Sequence, residues 1–233
     1  MPAESVTAPR VKSVNIGTLV PNRAKDNTTA INKRPATGPV WVRDPGPLKG
    51  KSGLEGDNVG DKKNHGGPGQ AVYAFAREDL DRWEVELDRQ LPDGMFGENL
   101  TTLGIDPNTA LIGERWKIGD QLVLQVTGPR MPCKTFAQRM AVHAWARRFT
   151  GSGRPGAYLM VVQSGPVKVG DPISIVHRPA HGVDVTTALF AFTIKPKLLP
   201  DLLAAEAYLV PGMREEVEKG LQKATGSLEL GQQ

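Results

Sequence analysis

Apolar positions recur along this chain in two periods, and the change from one to the other divides it. Val11 to Thr18 alternates between Val11, Ser13 and Asn15 on one side and Lys12, Val14 and Ile16 on the other, which predicts a first strand. Residues 20–33 are rich in Asn, Lys and Thr and read as a long loop. Val40-Trp41-Val42 is a short strand, and residues 44–51, full of Pro, Gly and Lys, are a turn. An apolar run from Ala71 to Phe75 predicts a strand. From Glu78 to Arg89 the period becomes helical, with Leu80, Trp83 and Leu87 on one face and Glu78 and Asp79 in the first turn, where the helix dipole favours them. Leu91–Met95 is a turn and Phe96–Thr102 a short strand or loop. Trp116–Thr127 carries the plainest period of two: Gly119-Asp120 separates two strand runs, and Leu122, Leu124 and Val126 alternate with Val123, Gln125 and Thr127.

Phe136 and Met140, spaced i and i+4, predict one helix from Lys134 to Phe149, ended by Thr150-Gly151. Gly156–Gln163 and Pro172–His177 are two more strands, with Gly165 in a turn. Beyond Arg178-Pro179 the spacing is helical throughout, over Thr186–Thr193, Pro196–Ala204 and Pro211–Ala224. Two of these segments open with proline, which a first helical position tolerates. The pattern predicts a mainly β domain over 11–180 and a small helical extension over 183–224. Residues 1–10 and the tail from 226 are expected to be disordered.

Composition narrows the class. With 233 residues, 39% hydrophobic and 23% charged, the chain can bury a sizeable core. A net charge of +4 suits an anionic ligand as well as nucleic acid. Only 6% of residues are aromatic, and no basic–aromatic interleaving suits single-strand stacking, so a nucleic-acid barrel ranks last. One cysteine excludes an internal disulfide framework, which makes a reducing, cytoplasmic setting natural. No apolar run is long enough for a membrane span, and the N-terminus lacks a secretory pattern. No Gly-x-Gly-x-x-Gly opens a helix after a strand, so nicotinamide or flavin chemistry must sit elsewhere.

That cysteine is the first candidate for chemistry. Cys133 lies in Gly128-Pro129-Arg130-Met131-Pro132-Cys133-Lys134, between a strand and a helix. Arg130, Lys134 and the helix N-terminus all favour the thiolate. A metal ligand, a sulfur carrier and an inert buried cysteine are all open on these residues alone. His65 is followed by Gly66-Gly67, where a ligand or another backbone could approach closely; the GK[ST] ending of a phosphate loop is absent. Asn99 and Thr101 could donate to an anion or could simply make turns.

Taken in order, Gly53-Leu54-Glu55-Gly56-Asp57, Lys63-Asn64-His65-Gly66-Gly67-Pro68, Ala71-Val72-Tyr73, Phe96-Gly97-Glu98-Asn99-Leu100-Thr101, Ile118-Gly119-Asp120, Pro129-Arg130-Met131-Pro132-Cys133, Gly165 and Gly170-Asp171 resemble the MOSC family, the sulfurase C-terminal-like domains. Within it they resemble the YiiM-type subgroup, whose small C-terminal three-helix extension the segment from Val183 also resembles. The resemblance implies a β-barrel with flanking helices and a molybdenum cofactor (molybdopterin) held through a cysteine thiolate. It implies reduction of small N-hydroxylated compounds, such as N-hydroxylated nucleobases, with electrons from a separate flavin or NAD(P)H reductase. Pyridoxal phosphate binding is also ascribed to the family as a whole. Cys133 matches the family's cysteine. His65, Asn99 and Arg130 fall on its motif residues, with Gly66 and Thr101 beside them, and Lys33, Arg34 and Arg43 lie where relatives carry basic residues. Arg and Lys side chains suit the cofactor's phosphate, and His65 has the pKa range for proton delivery. The same cysteine could instead carry a persulfide.

Overall fold

The structure is a computed structural model that describes residues 7–22 and 27–230. In chain order the strands and helices are β1 (Arg10–Ile16), β2 (Val20–Asn22), β3 (Asn27–Thr29), β4 (Arg34–Pro35), β5 (Val40–Val42), β6 (Val72–Ala76), α1 (Arg77–Leu87), β7 (Leu100–Leu103), β8 (Arg115–Ile118), β9 (Leu122–Pro129), α2 (Lys134–Met140), α3 (Trp145–Gly151), β10 (Ala157–Gln163), β11 (Gly165–Val167), β12 (Ile173–His177), α4 (Val185–Phe192) and α5 (Pro211–Leu230). Two 3₁₀ segments, Pro68–Gln70 and Pro196–Tyr208, complete them.

Eight strands form one sheet in the order β12-β8-β9-β10-β6-β7-β1-β4. Its pairs are antiparallel except β6–β7, which is parallel. The mainly β class expected from the sequence is what the chain adopts, but the barrel is not a closed ladder. β1 and the strand before it in a ring, β12, meet at one isolated bridge, Arg10 with Pro172. Flanking bonds run from the Val11 N–H to the Asp171 carbonyl (2.9 Å) and from the Ile173 N–H to the Pro9 carbonyl (3.0 Å). Pro9 and Pro172 have no N–H to give, so the pairing cannot extend there.

β6 is buried on both faces, which explains its unbroken apolar run. Val72 and Ala74 face the larger core with Val14, Leu100, Trp116 and Leu124; Leu202, Leu209 and Val217 of the C-terminal helical segments join that same core. Tyr73 and Phe75 face a second, aromatic core with Trp83, Phe96, Phe136, Trp145 and Phe149.

That second core explains the main departure from the predicted helices. The segment read as one helix over 134–149 is two, α2 and α3, divided where Ala141 and Ala144 both take left-handed backbone at φ 52°. Phe136 and Trp145 are nine residues apart, which in a continuous helix sets them on roughly opposite sides. The break brings their rings to 5.4 Å in edge-on contact, and Phe136 to 5.0 Å from Phe149. Arg89 donates to the Met140 carbonyl that the break frees, at 2.8 Å.

Other departures are local. The stretch 20–33, read as loop, holds the β2–β3 pair, because tertiary pairing outweighs its weak apolar signal. Gly165, read as a turn residue, starts β11, which pairs with β5. The segment from Pro196 is 3₁₀ rather than α-helical, and Pro200 inside it cannot donate an i→i−4 bond. α5 runs on to Leu230, past the expected end at Ala224. The start expected to be frayed is already strand at Arg10; residues 1–6 and 231–233 lie outside the described residues. Among the described residues no helix is long and apolar enough to cross a membrane.

Two substitutions test the break. At left-handed positions Ala141→Gly and Ala144→Gly should be neutral or stabilise by up to ~1 kcal/mol, whereas in a continuous helix each would cost ~0.5–1 kcal/mol. Urea unfolding distinguishes the two. Phe136→Ala, at a fully buried site, should cost ~3–5 kcal/mol in the same measurement.

Candidate functional site

β9 ends at Pro129, and the turn that follows carries Arg130 and Cys133 to the start of α2, where Cys133 is the N-cap residue with extended backbone. Two prolines keep the turn from continuing either element. Arg130 is buried, 5% exposed, and among the described residues no carboxylate meets it. Its guanidinium donates to the Met131 carbonyl and lies 4.0 Å from Cys133 Sγ. It stacks 4.5 Å from the Phe136 ring centroid and 5.9 Å from that of Tyr73, while its buried Nε has no partner. Burial pushes the Cys133 thiol up, but the polar influence of His65, the Arg130 charge and the Phe136 N–H outweigh it and bring the pKa down to about 6. Cys133 is therefore mostly thiolate at neutral pH.

A second knot of polar groups holds the opposite side of the pocket. Asp57 is almost fully buried, and its Oδ1 accepts from the Gly17 N–H at 2.7 Å and from Lys33 Nζ. Its Oδ2 accepts from Asn99 Nδ2 at 2.8 Å. Asn99 Oδ1 in turn accepts from the Tyr73 N–H at 3.1 Å. One carboxylate thus ties together the β1 exit, the residue before β4, and the approach to β7. Gly66 takes φ 75°, and a Cβ there would meet the Lys51 carbonyl oxygen at 2.6 Å, so glycine is required where the His65 loop crosses its neighbour. Glu98, fully buried, accepts from the Gly94 N–H (2.5 Å), the Phe96 N–H (3.0 Å) and Thr101 Oγ1 (2.9 Å). Burial outweighs these donors and lifts its pKa from 4.5 to about 7.

Of the residues singled out in the sequence, Cys133, His65, Gly66, Lys33, Asn99 and Arg130 line one pocket. Within it Lys33 is neutralised by Asp57, so it shapes the wall more than it offers a charge. Arg34 is exposed on β4 and is not among the lining residues. Arg43 lines an adjoining cleft of ≈ 550 Å³ that shares Ser52, Asp57, Asn58 and Val59 with the pocket. Thr101 is fully buried behind the pocket, bonded to Glu98 and Asn15, and supports the wall without reaching it. Sequence reasoning quoted Asp57 and Tyr73 within motifs but gave them no role at the site, and did not name Tyr158. Their place in the Gly56-Asp57 and Ala71-Val72-Tyr73 motifs was the usable signal for the first two; both tyrosines lie on strands, β6 and β10, and look like ordinary core positions.

Iodoacetamide alkylation of Cys133 should show a pH midpoint near 6, and Arg130→Met should raise it by about one unit or more, since a nearby charge is lost. Glu98 gives a second check. Its folded pKa is raised, so its contribution to stability is complete below the unfolded value of 4.5 and is lost as pH rises through about 7. Urea unfolding at pH 5 and pH 8 should therefore show the wild type losing up to ~3 kcal/mol relative to Glu98→Gln, which does not titrate.

The chain is similar to several known proteins. A model of the MOSC domain matches residues 61–174, a span that includes His65, Asn99, Arg130 and Cys133. YflK of Bacillus subtilis (strain 168) is 33% identical over 180 residues, covering 76% of this chain and 78% of its own. A protein of Gibberella moniliformis named "Reductase" is 31% identical over 156 residues, covering 65% of this chain but only 26% of its own length. In three dimensions the crystal structure of YiiM from Geobacillus stearothermophilus aligns with a TM-score of 0.74 over 91% of this chain and 99% of that one; at 23% identity this shows a common fold. With its motifs in register and a relative matched over most of both lengths, the chain belongs to the MOSC domain family.

Proposed function

We propose that this protein is an oxidoreductase that holds the molybdenum cofactor through Cys133 and reduces small N-hydroxylated compounds with electrons from a separate flavin or NAD(P)H reductase. The observation that carries the reading is the pairing of the Cys133 thiolate with Arg130, a buried guanidinium with, among the described residues, an unpartnered Nε and no carboxylate partner. A buried cation whose anionic neighbour is a thiolate and not a carboxylate suits a site for a further anionic group. Among the described residues no three His, Cys, Asp or Glu side chains are placed to hold a bare metal ion. A single soft thiolate instead fits a metal carried in with its own sulfur ligands. Arg130 would face the anionic group, and Arg43, Lys51 and Lys62 in the adjoining cleft could take a phosphate.

When bound, the cofactor supplies the two-electron redox chemistry that removes oxygen from nitrogen. In the net reaction the N–O bond breaks, two electrons and two protons enter, and the amine and water leave. The protein's own part is to keep Cys133 ionised and to orient it. His65 lines the same pocket as Cys133 and favours its ionised form, so it is the group placed to hold or pass a proton there. The "Reductase" of Gibberella moniliformis, in which the matched segment is about a quarter of the whole, supports a reductive role.

The depressed thiol pKa also favours a second reading, a persulfide carrier without metal. Protein purified from a host that makes the cofactor should contain molybdenum and pterin, and Cys133→Ser should lose both together with N-hydroxylamine reduction. Arg130→Lys and His65→Gln, which alter groups sharing the pocket with the thiolate, should lower metal occupancy or turnover by about 10–100-fold. Protein with no metal or pterin, but with a mass gain of one sulfur on Cys133 after a sulfur donor, would select the carrier.

A further inference from the structure

We propose that the cleft between the turn carrying Cys133 and the start of α5 seats the organic body of the substrate, and that it selects uncharged or cationic molecules over anionic ones. The inference rests on Cys133 as the reactive centre. The cleft measures ≈ 810 Å³, with Met131 and Pro132 of the turn on one side and Phe192 and Met213 on the other. Gly66, Gln70 and Tyr158 line both this cleft and the thiol pocket, so the two are continuous. A molecule lying in the cleft can therefore present one end to Cys133.

The far wall is seated by close backbone approach. A Cβ on Gly128 would meet Met213 Sδ at 2.7 Å, and one on Gly69 would meet Val210 Cγ1 at 3.2 Å. Two glycines thus let the first turn of α5 pack down beside the site. Thioether and aromatic walls suit an apolar ring, because methionine sulfur makes favourable contacts with aromatic edges and adapts to varied shapes. The charge at the rim is acidic on the α5 side. Glu215 and Glu216 line it, both exposed, with Glu215 3.6 Å from Lys219 and Glu216 in no ion pair among the described residues. Lys49 is the single cation of the lining among the described residues. A substrate carrying a carboxylate or phosphate on its body would meet repulsion at this rim, while its N–OH end would still meet the cationic pocket.

Calorimetric titration of the full chain as purified tests this with two probes, neutral N-hydroxybenzamidine and its anionic 4-carboxylate. The neutral probe should bind at least about tenfold more tightly, and Met213→Trp, which fills the cleft, should weaken it by about tenfold or more. Glu215→Gln combined with Glu216→Lys should bring the carboxylate to within about threefold of the neutral probe. Thermal melting checks that each variant folds. If Met213→Trp does not fold, the exposed Glu215/Glu216 pair decides alone. Absent binding of the neutral probe, equal binding of both by the wild type, or discrimination unchanged by the charge substitutions would overturn the proposal. Protein without molybdenum would sink the reductase reading and leave this binding comparison standing.

Discussion

Arg130 brings a full positive charge into the interior at the end of a central strand, and among the described residues no carboxylate balances it. A bare buried charge of that kind is costly. Here the cost is offset by one carbonyl, two aromatic faces and the Cys133 sulfur. The sulfur is the one group in that set that can become an anion at neutral pH, so burying Arg130 and ionising Cys133 are two views of the same interaction. The aromatic core beneath exists partly to serve it. Phe136, which stacks on the guanidinium, is itself fixed by Phe96, Trp145 and Phe149. Breaking the 134–149 segment into α2 and α3 is what assembles those rings.

Opposite this cationic wall, Asp57 performs the converse task. Its carboxylate takes the Lys33 charge and two further constraints on the chain, the Gly17 N–H and the Asn99 amide. The result is a pocket whose two sides differ. One side presents a cation held in reserve against a thiolate, and the other a neutralised, cross-linked frame. Glu98 reinforces that frame from behind through backbone donors at Gly94 and Phe96. Because Asn99 is its neighbour in sequence, any movement of Glu98 would be felt at Asp57.

The C-terminal helices are part of the same body. Leu202, Leu209 and Val217 enter the core that lies under the sheet, and the first turn of α5 rests on Gly69 and Gly128. The extension therefore borders the route to Cys133 as well as covering apolar surface, which is why its charged positions bear on substrate choice.

Much of this was legible in the residues. Period-two alternation located β1, β8 and β9, because side chains alternate between the two faces of a strand, and the proline-flanked cysteine beside Arg130 marked the site without any coordinates. Motif order was enough to group His65, Asn99 and Cys133. The rest depends on contacts between distant segments. Whether Lys33 offers or spends its charge is decided by Asp57, 24 positions away; Arg34 looked equivalent to it, yet strand pairing with β1 leaves Arg34 exposed. The split of α2 from α3 was hidden because i, i+4 spacing reports a local face, whereas the left-handed alanines answer to a cluster drawn from β6, α1 and the segment before β7. An open rather than closed sheet was likewise hidden, since closure depends on whether two remote ends, each carrying a proline, can supply N–H groups to one another. Local sequence determined which residues could do chemistry; tertiary packing decided which of them are charged, paired and facing the pocket, because charge and burial are properties of neighbours.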